Sequence, residues 1–230
     1  MRSHSDPPTQ IEIPELGESS NAAERIQSVF DLTAADVEKL KSKRPKRLGI
    51  VCGRSDCKRD LHCFRPKKLE TANAPGRCQD CGVEFGNWDQ MHARDLLSAP
   101  QKFELLRKEW IRHFFFHLPL SERIKAYARK HGMNGLVAIA RKQLSNGKML
   151  RFNESRDFNQ TAMLDGTIVH WGRHAVACCC RRCMAYWHNV PLTADLSATD
   201  IDYFGQLLSL YIKERMPDLP SNGQQYPRVG

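Results

Sequence analysis

The sequence predicts a mainly α-helical fold, with a small cysteine-braced module ahead of a helical domain, and three observations carry that prediction. From residue 99 onward apolar residues recur with the 3.6-residue period of a helix face. The nine cysteines fall in two tight clusters (52–81 and 178–183) rather than along the whole chain. The stretch spanned by the first cluster is punctuated by Gly and Pro and is too poor in apolar residues to build a core of its own. At 41% hydrophobic and 27% charged residues over 230 positions, the chain reads as globular. No run approaches the roughly 18 apolar residues of a spanning helix, and the opening MRSHSDPPTQ lacks the apolar core of a secretory signal, so the expected address is the cytoplasm, away from membranes.

Each element follows from local chemistry. Residues 1–21, rich in Pro, Ser and acids without sustained periodicity, read as a disordered arm. Residues 22–45 read as a helical lead-in: Ala22–Phe30 is amphipathic, Thr33 caps Ala34–Lys41, and Pro45 ends it. Residues 46–98 form the cysteine module, with Leu48–Val51 and Val83–Phe85 as short strands beside Cys52 and Cys81. The helical domain covers 99–218. Phe103, Leu106, Trp110, Phe114 and His117 share one face of a helix ended by Pro119. Ser121 caps a second helix that stops at Gly132, and a third spans about 134–144. Thr167–Trp171 reads as a brief strand, a helix contains Cys180–Trp187, and Thr199–Met216 closes the domain, leaving 219–230 as a tail.

The first cluster has metal-ligand spacing. Cys52-x4-Cys57 is followed by Cys78-x2-Cys81-Gly82, and two cysteine pairs on tight turns can aim four thiolates at one Zn²⁺. The expected centre is a zinc-ribbon-like structural site, because four protein ligands leave no open position. Cys63, beside His62, is the alternative ligand: Cys57 and Cys63 could pair instead, leaving Cys52 spare.

In the second cluster four cysteines and two histidines fall within residues 174–188. Cys180 and Cys183, three apart, share a helix face, so Cys180 and Cys183 with one or both of His174 and His188 form the simplest second zinc site, with Cys179 and His117 as alternatives. Core packing of small thiols is the competing explanation. His113 and His117 have ligand spacing, but Phe114 stands where a metalloprotease needs Glu, and core histidines fit better. The Trp88–Asp95 segment, with His92, Arg94 and two carboxylates, reads as an ion-paired linker helix rather than an acid–base site.

From about Phe103 to Leu219 the chain resembles a bacterial domain-of-unknown-function family whose signature is His-Ala-x-Ala-x-Cys-Cys-Arg-x-Cys-x3-Trp-His, met here by His174, Ala175, Ala177, Cys179, Cys180, Arg181, Cys183, Trp187 and His188. Phe116-His117-Leu118 matches a further motif, and the family's longer members resemble this chain upstream, in Cys63 to Lys67 and Trp88–Asp95. The resemblance implies that His174, Cys179, Cys180, Cys183 and His188 form a site, with Cys178 the departure from the pattern. It implies no activity.

Charge supplies the functional expectation. The net charge is +9, and residues 41–68 carry eleven basic side chains against two acidic ones. Such a block attracts phosphate backbones. Nucleic-acid binding is the leading expectation, through Arg54, Lys58, Arg59, Arg65, Lys67 and Lys68, with Arg181 and Arg182 beside the second cluster. The alternatives are a metal- or thiol-dependent enzyme centred on 174–188 and an adaptor subunit with a protein partner. Two zinc ions are the expected cofactors.

Overall fold

The computed structural model describes residues 55–64, 76–146 and 166–224. The expected arm, the helical lead-in and the strand at Leu48–Val51 lie outside these residues. The architecture is mainly helical, as the periodicity predicts. Among the described residues the helices are α1 (Trp88–His92), α2 (Ala99–Arg107), α3 (Trp110–His117), α4 (Glu122–Leu144), α5 (Ile168–Ala175), α6 (Arg181–His188) and α7 (Ala198–Arg215), preceded by a 3₁₀ turn at Cys57–Arg59. Only isolated bridges pair extended residues there, so the strand expected at Val83–Phe85 is reduced to one antiparallel bridge, Arg77 with Glu84.

Two helices depart from the sequence reading, each for a physical reason. The single helix expected from Ala99 to Pro119 is broken at Lys108 and Glu109, although neither residue is a breaker. Glu109 is extended (φ −87°, ψ 125°). The His62 N–H donates to the Lys108 carbonyl at 2.7 Å, and the Trp110 N–H donates to the His62 carbonyl at 3.0 Å. A tertiary pairing therefore replaces the helical hydrogen bonds that the break forfeits. The strand expected at Thr167–Trp171 is instead the start of α5. Thr167 caps it, its hydroxyl accepting from the His170 N–H at 3.3 Å, and the apolar residues Ile168, Trp171 and Ala175 then share a buried face.

Gly132 ends a helical run as expected, but α4 resumes beyond it. The glycine sits at φ 64°, ψ 173°, a region essentially restricted to Gly. Residues 220–224 fill the notch. The Met133 and Asn134 N–H groups, orphaned by the kink, donate to the Pro220 and Ser221 carbonyls at 2.9 Å each, so this part of the expected tail is docked. A Cβ on Gly132 would lie 2.3 Å from the Asn222 carbonyl carbon. Gly132→Ala is therefore expected to cost at least about 2 kcal/mol and to release the C-terminal segment. A thermal melt and limited proteolysis check this; an unchanged melt with no new C-terminal cleavage contradicts it.

α4, α5 and α7 pack on one another, and Gly172 lets α5 approach α7 closely: a Cβ there would stand 2.8 Å from the Tyr211 ring. Ser197 and Asp200 form a capping box at the start of α7, and Arg94 pairs with Asp200, which ties the α1–α2 linker to that helix. The cysteine segment shares this core. Phe64, Phe85 and Trp88 pack edge-on against Trp187 or Tyr186 of α6, with Phe85–Trp187 centroids 4.8 Å apart and Trp88–Tyr186 4.9 Å. The Tyr186 hydroxyl donates to the Phe64 carbonyl and accepts from the Gly76 N–H. A segment too apolar-poor to fold alone thus borrows the helical core.

Buried histidines make the fold acid-sensitive. Burial, with His117 beside it, holds His113 down to about 3. Burial, with Arg173 nearby, holds His170 at about 4. Unfolded, both take a proton near 6.5. Below that value the unfolded chain binds protons the fold refuses, so stability is present above about pH 6.5 and is lost as pH falls toward 4 and 3. Thermal melts between pH 7 and 4 are expected to show a falling midpoint; a flat profile contradicts this.

Candidate metal centres

The first centre is assembled by two turns and a bridge. Cys57 opens the 3₁₀ turn, His62 is fixed by its backbone pairing with residues 108–110, and Cys78 and Cys81 flank a tight turn. In that turn the Gly82 N–H donates to the Cys78 carbonyl at 3.0 Å and the Cys78 N–H to the Val83 carbonyl at 2.8 Å; Gly82 has φ +76°, which the turn requires. One donor atom from each of Cys57, His62, Cys78 and Cys81 lies within 4.8 Å of every other. Cys57 Sγ is 3.7 Å from Cys78 Sγ, and Cys81 Sγ is 3.4 Å from His62 Nδ1. A zinc tetrahedron with bonds of about 2.3 Å to sulfur and 2.0 Å to nitrogen has edges of roughly 3.8 and 3.5 Å, so both separations fit.

The surroundings suit a cation. His62 Nε2 is 2.8 Å from Asp60 Oδ1, so that nitrogen donates to the carboxylate and Nδ1 faces the thiols with its lone pair, the arrangement that orients metal-bound imidazoles. Burial opposes ionisation of Cys78, but the backbone N–H groups of Cys81, Asp80 and Cys63 outweigh it and bring the thiol down to about 6. Burial pushes the neighbouring Cys57 up to about 11. One sulfur is thus ready as a thiolate, and a bound cation would ionise its partner.

The ligand set differs from the one the spacing suggests. Cys57, Cys78 and Cys81 come together as expected, while Cys52 lies outside the described residues. His62 supplies the fourth donor. Cys63 is fully buried and contributes its backbone N–H, not its thiol, because successive extended residues face opposite sides. The signal for His62 was its place beside Cys63, five residues after Cys57 on the same turn.

The second centre lies where α5 ends and α6 begins. Ala177, at φ 57°, turns the chain, Cys180 is the extended N-cap of α6, and Cys183 lies in its first turn. Because Cys179 and Cys180 precede the helix, they escape the 100° separation a helix would impose, and the sulfurs of Cys179, Cys180 and Cys183 all lie within 4.8 Å of one another. All three are buried. Arg112, on α3 and fully buried, completes the arrangement: its Nη2 is 3.2 Å from Cys183 Sγ, its Nη1 3.8 Å from Cys179 Sγ, and its Nε donates to Glu109 at 2.9 Å. Nη1 also donates to the His174 carbonyl. Nothing in the sequence singles out Arg112, which lies opposite the helix face read as apolar, where a charged side chain is expected to meet solvent.

The other expected ligands are placed elsewhere. His188 has both ring nitrogens engaged, by the Tyr203 hydroxyl at 3.1 Å and the Val176 carbonyl at 2.9 Å, and stands apart from the thiol group. His174 also lies outside the 4.8 Å group, but its Nδ1 is buried without a hydrogen-bond partner. His117 stacks on His113 with centroids 4.0 Å apart and bonds the His113 carbonyl through Nδ1. Cys178 behaves as a core residue: burial pushes its thiol up to about 12.

Residues 100–213 match the family described as a domain of unknown function, DUF4186. The second centre lies inside the matched residues, and all four donors of the first lie outside them. No curated protein and no solved structure matches the chain.

The arginines flanking the second cluster are not placed as phosphate contacts. Arg181 is fully buried and donates to the carbonyls of Pro191, Leu192 and Ala194, pinning that loop against α6. Arg182 is buried as well, so neither is presented to a polyanion. Lys58 and Arg59 are exposed on the 3₁₀ turn, with Arg59 3.5 Å from Asp56. Arg54, Arg65, Lys67 and Lys68 lie outside the described residues. The Trp88–Asp95 segment is structural: His92 Nε2 bonds the Tyr186 carbonyl at 2.9 Å, and Asp95 accepts from the Leu97 and Ser98 N–H groups. No helix of the described residues is long and apolar enough to cross a membrane.

Proposed function

We propose that the protein is a zinc-binding protein in which Cys57, His62, Cys78 and Cys81 hold a closed, structural zinc in a ribbon-like module, and that this module carries a polyanion-binding element. The observation that carries the zinc assignment is the pair of donor separations, 3.7 and 3.4 Å, in a group whose histidine is already oriented by a carboxylate. With all four positions taken by protein, the ion organises rather than catalyses.

The polyanion part rests on the charge of residues 41–68 and on the exposure of Lys58 and Arg59 beside a metal ligand. A metal-fixed turn presents those cations at low entropic cost, and phosphate backbones are their natural acceptors. Kd for generic single- or double-stranded nucleic acid is expected to weaken steeply with salt, and Lys58→Glu with Arg59→Glu to lower the slope of log Kd against log salt by about 2. Absence of binding at low salt removes the polyanion part and leaves the zinc assignment standing.

A further inference from the structure

Three thiols of the DUF4186 domain converge in a place where cysteine packing alone does not require it. The neighbouring Cys178 is equally buried and stays outside the group, so burial does not dictate the convergence of Cys179, Cys180 and Cys183. A guanidinium is charged at any physiological pH, and its N–H groups favour anionic acceptors. Arg112 is fully buried and places two of its nitrogens against Cys183 and Cys179. Glu109, 1% exposed, balances the Arg112 guanidinium, and Arg173 donates to the Cys179 carbonyl at 3.0 Å, so three ionised sulfurs would still carry more negative charge than these groups offset. His174 offers a fourth donor: its Nδ1 is buried without a hydrogen bond, and its carbonyl is held by the same Arg112.

We propose that Cys179, Cys180 and Cys183, with His174 as fourth ligand, form a second binding site for a thiophilic divalent cation, zinc by chemical class, and that Arg112 is its positioning residue. Thiolates with one imidazole are a donor set zinc accepts. A divalent cation leaves less uncompensated negative charge in the core than monovalent copper does, which favours zinc over copper at the same sulfurs. The clamp also joins the two centres. Glu109 lies in the 108–110 turn that pairs with His62, so one buried carboxylate stands between the backbone holding the first centre and the guanidinium holding the second.

The site does not depend on the first centre's ligand set, and the test separates the two. The full chain is purified from zinc-replete cells without chelator, and metal per chain is measured for the native protein, Cys78→Ser and Cys183→Ser. Two zinc ions in the native chain and one in each variant support the proposal. One ion that survives Cys183→Ser but not Cys78→Ser overturns it and leaves the first centre intact. One ion with the opposite pattern supports it while removing the first centre. Should Cys183→Ser fail to fold, Cys78→Ser alone decides, since a soluble chain without metal overturns the second site. Copper in stoichiometric amount overturns the divalent assignment. In a chelator competition, Arg112→Lys is expected to weaken one of the two ions by about 10- to 100-fold; equal retention of both overturns the role of Arg112. His174→Ala is expected to weaken that same ion and His188→Ala to leave it unchanged; the reverse overturns His174 as ligand.

Discussion

A Cys78→Ser chain is expected to lose one metal ion and more than about 4 kcal/mol of stability in the module that holds it. The size follows from what that module is made of. Between Ser55 and Phe64 and between Gly76 and Gly86 the described buried apolar residues are few, and two of them, Phe64 and Phe85, serve a core otherwise built by the helices. Without metal, the turns at Cys57 and Cys78 are held by a handful of backbone bonds, each contributing about 1 kcal/mol. Loss of the ion is expected to free His62, then the bridge to residues 108–110, then the packing of Phe85 on Trp187, while α4, α5 and α7 persist. Metal analysis with far-ultraviolet dichroism and tryptophan emission checks this: helicity is largely retained and the emission shifts. A variant that melts like the native chain contradicts it.

Removing Arg112 is expected to cost about 3–5 kcal/mol, because Arg112→Ala breaks its buried ion pair with Glu109 and opens the space beside the sulfurs. The burial of both side chains makes this a core effect rather than a surface ion pair, which would contribute under about 1 kcal/mol. Two variants locate its origin. Arg112→Met with Glu109→Leu is expected to recover part of the loss, since it removes both charges of the pair. Arg112→Lys is expected to recover less, because an ammonium cannot reach Glu109, the His174 carbonyl and two sulfurs at once. Denaturant melts of the three variants check the ranking; a loss below about 1 kcal/mol for Arg112→Ala contradicts it.

Helices with continuous apolar periodicity were legible in the sequence, as in α4 and α7, and so was the break at Gly132, because periodicity and a glycine are local signals. What escaped was imposed from a distance. The break at Lys108–Glu109 exists because His62 pairs there, and no residue within the helix announces it. Thr167-Ile168-Val169 has the β-branched composition of a strand, yet a capping hydroxyl and an apolar face against α7 make it helical. The same division runs through the sites. Cys57, Cys78 and Cys81 could be read from spacing, since ligands on one turn are close in sequence. His62 carries only its place beside Cys63 as a signal and Arg112 carries none, since one is positioned by the 108–110 bridge and the other by helix packing. The arginines next to the thiols in sequence were the wrong ones to read as functional: Arg181 pins a loop, and Arg112, 71 residues before Cys183, reaches the sulfur.

His62 is the ligand on which the first centre depends, and zinc K-edge X-ray absorption of the intact chain, compared with His62→Ala, reads its coordination. Sulfur scattering at about 2.3 Å with imidazole scattering at about 2.0 Å, the imidazole part falling in His62→Ala, is the result expected. An all-sulfur first shell, or imidazole scattering unchanged by the substitution, would contradict it.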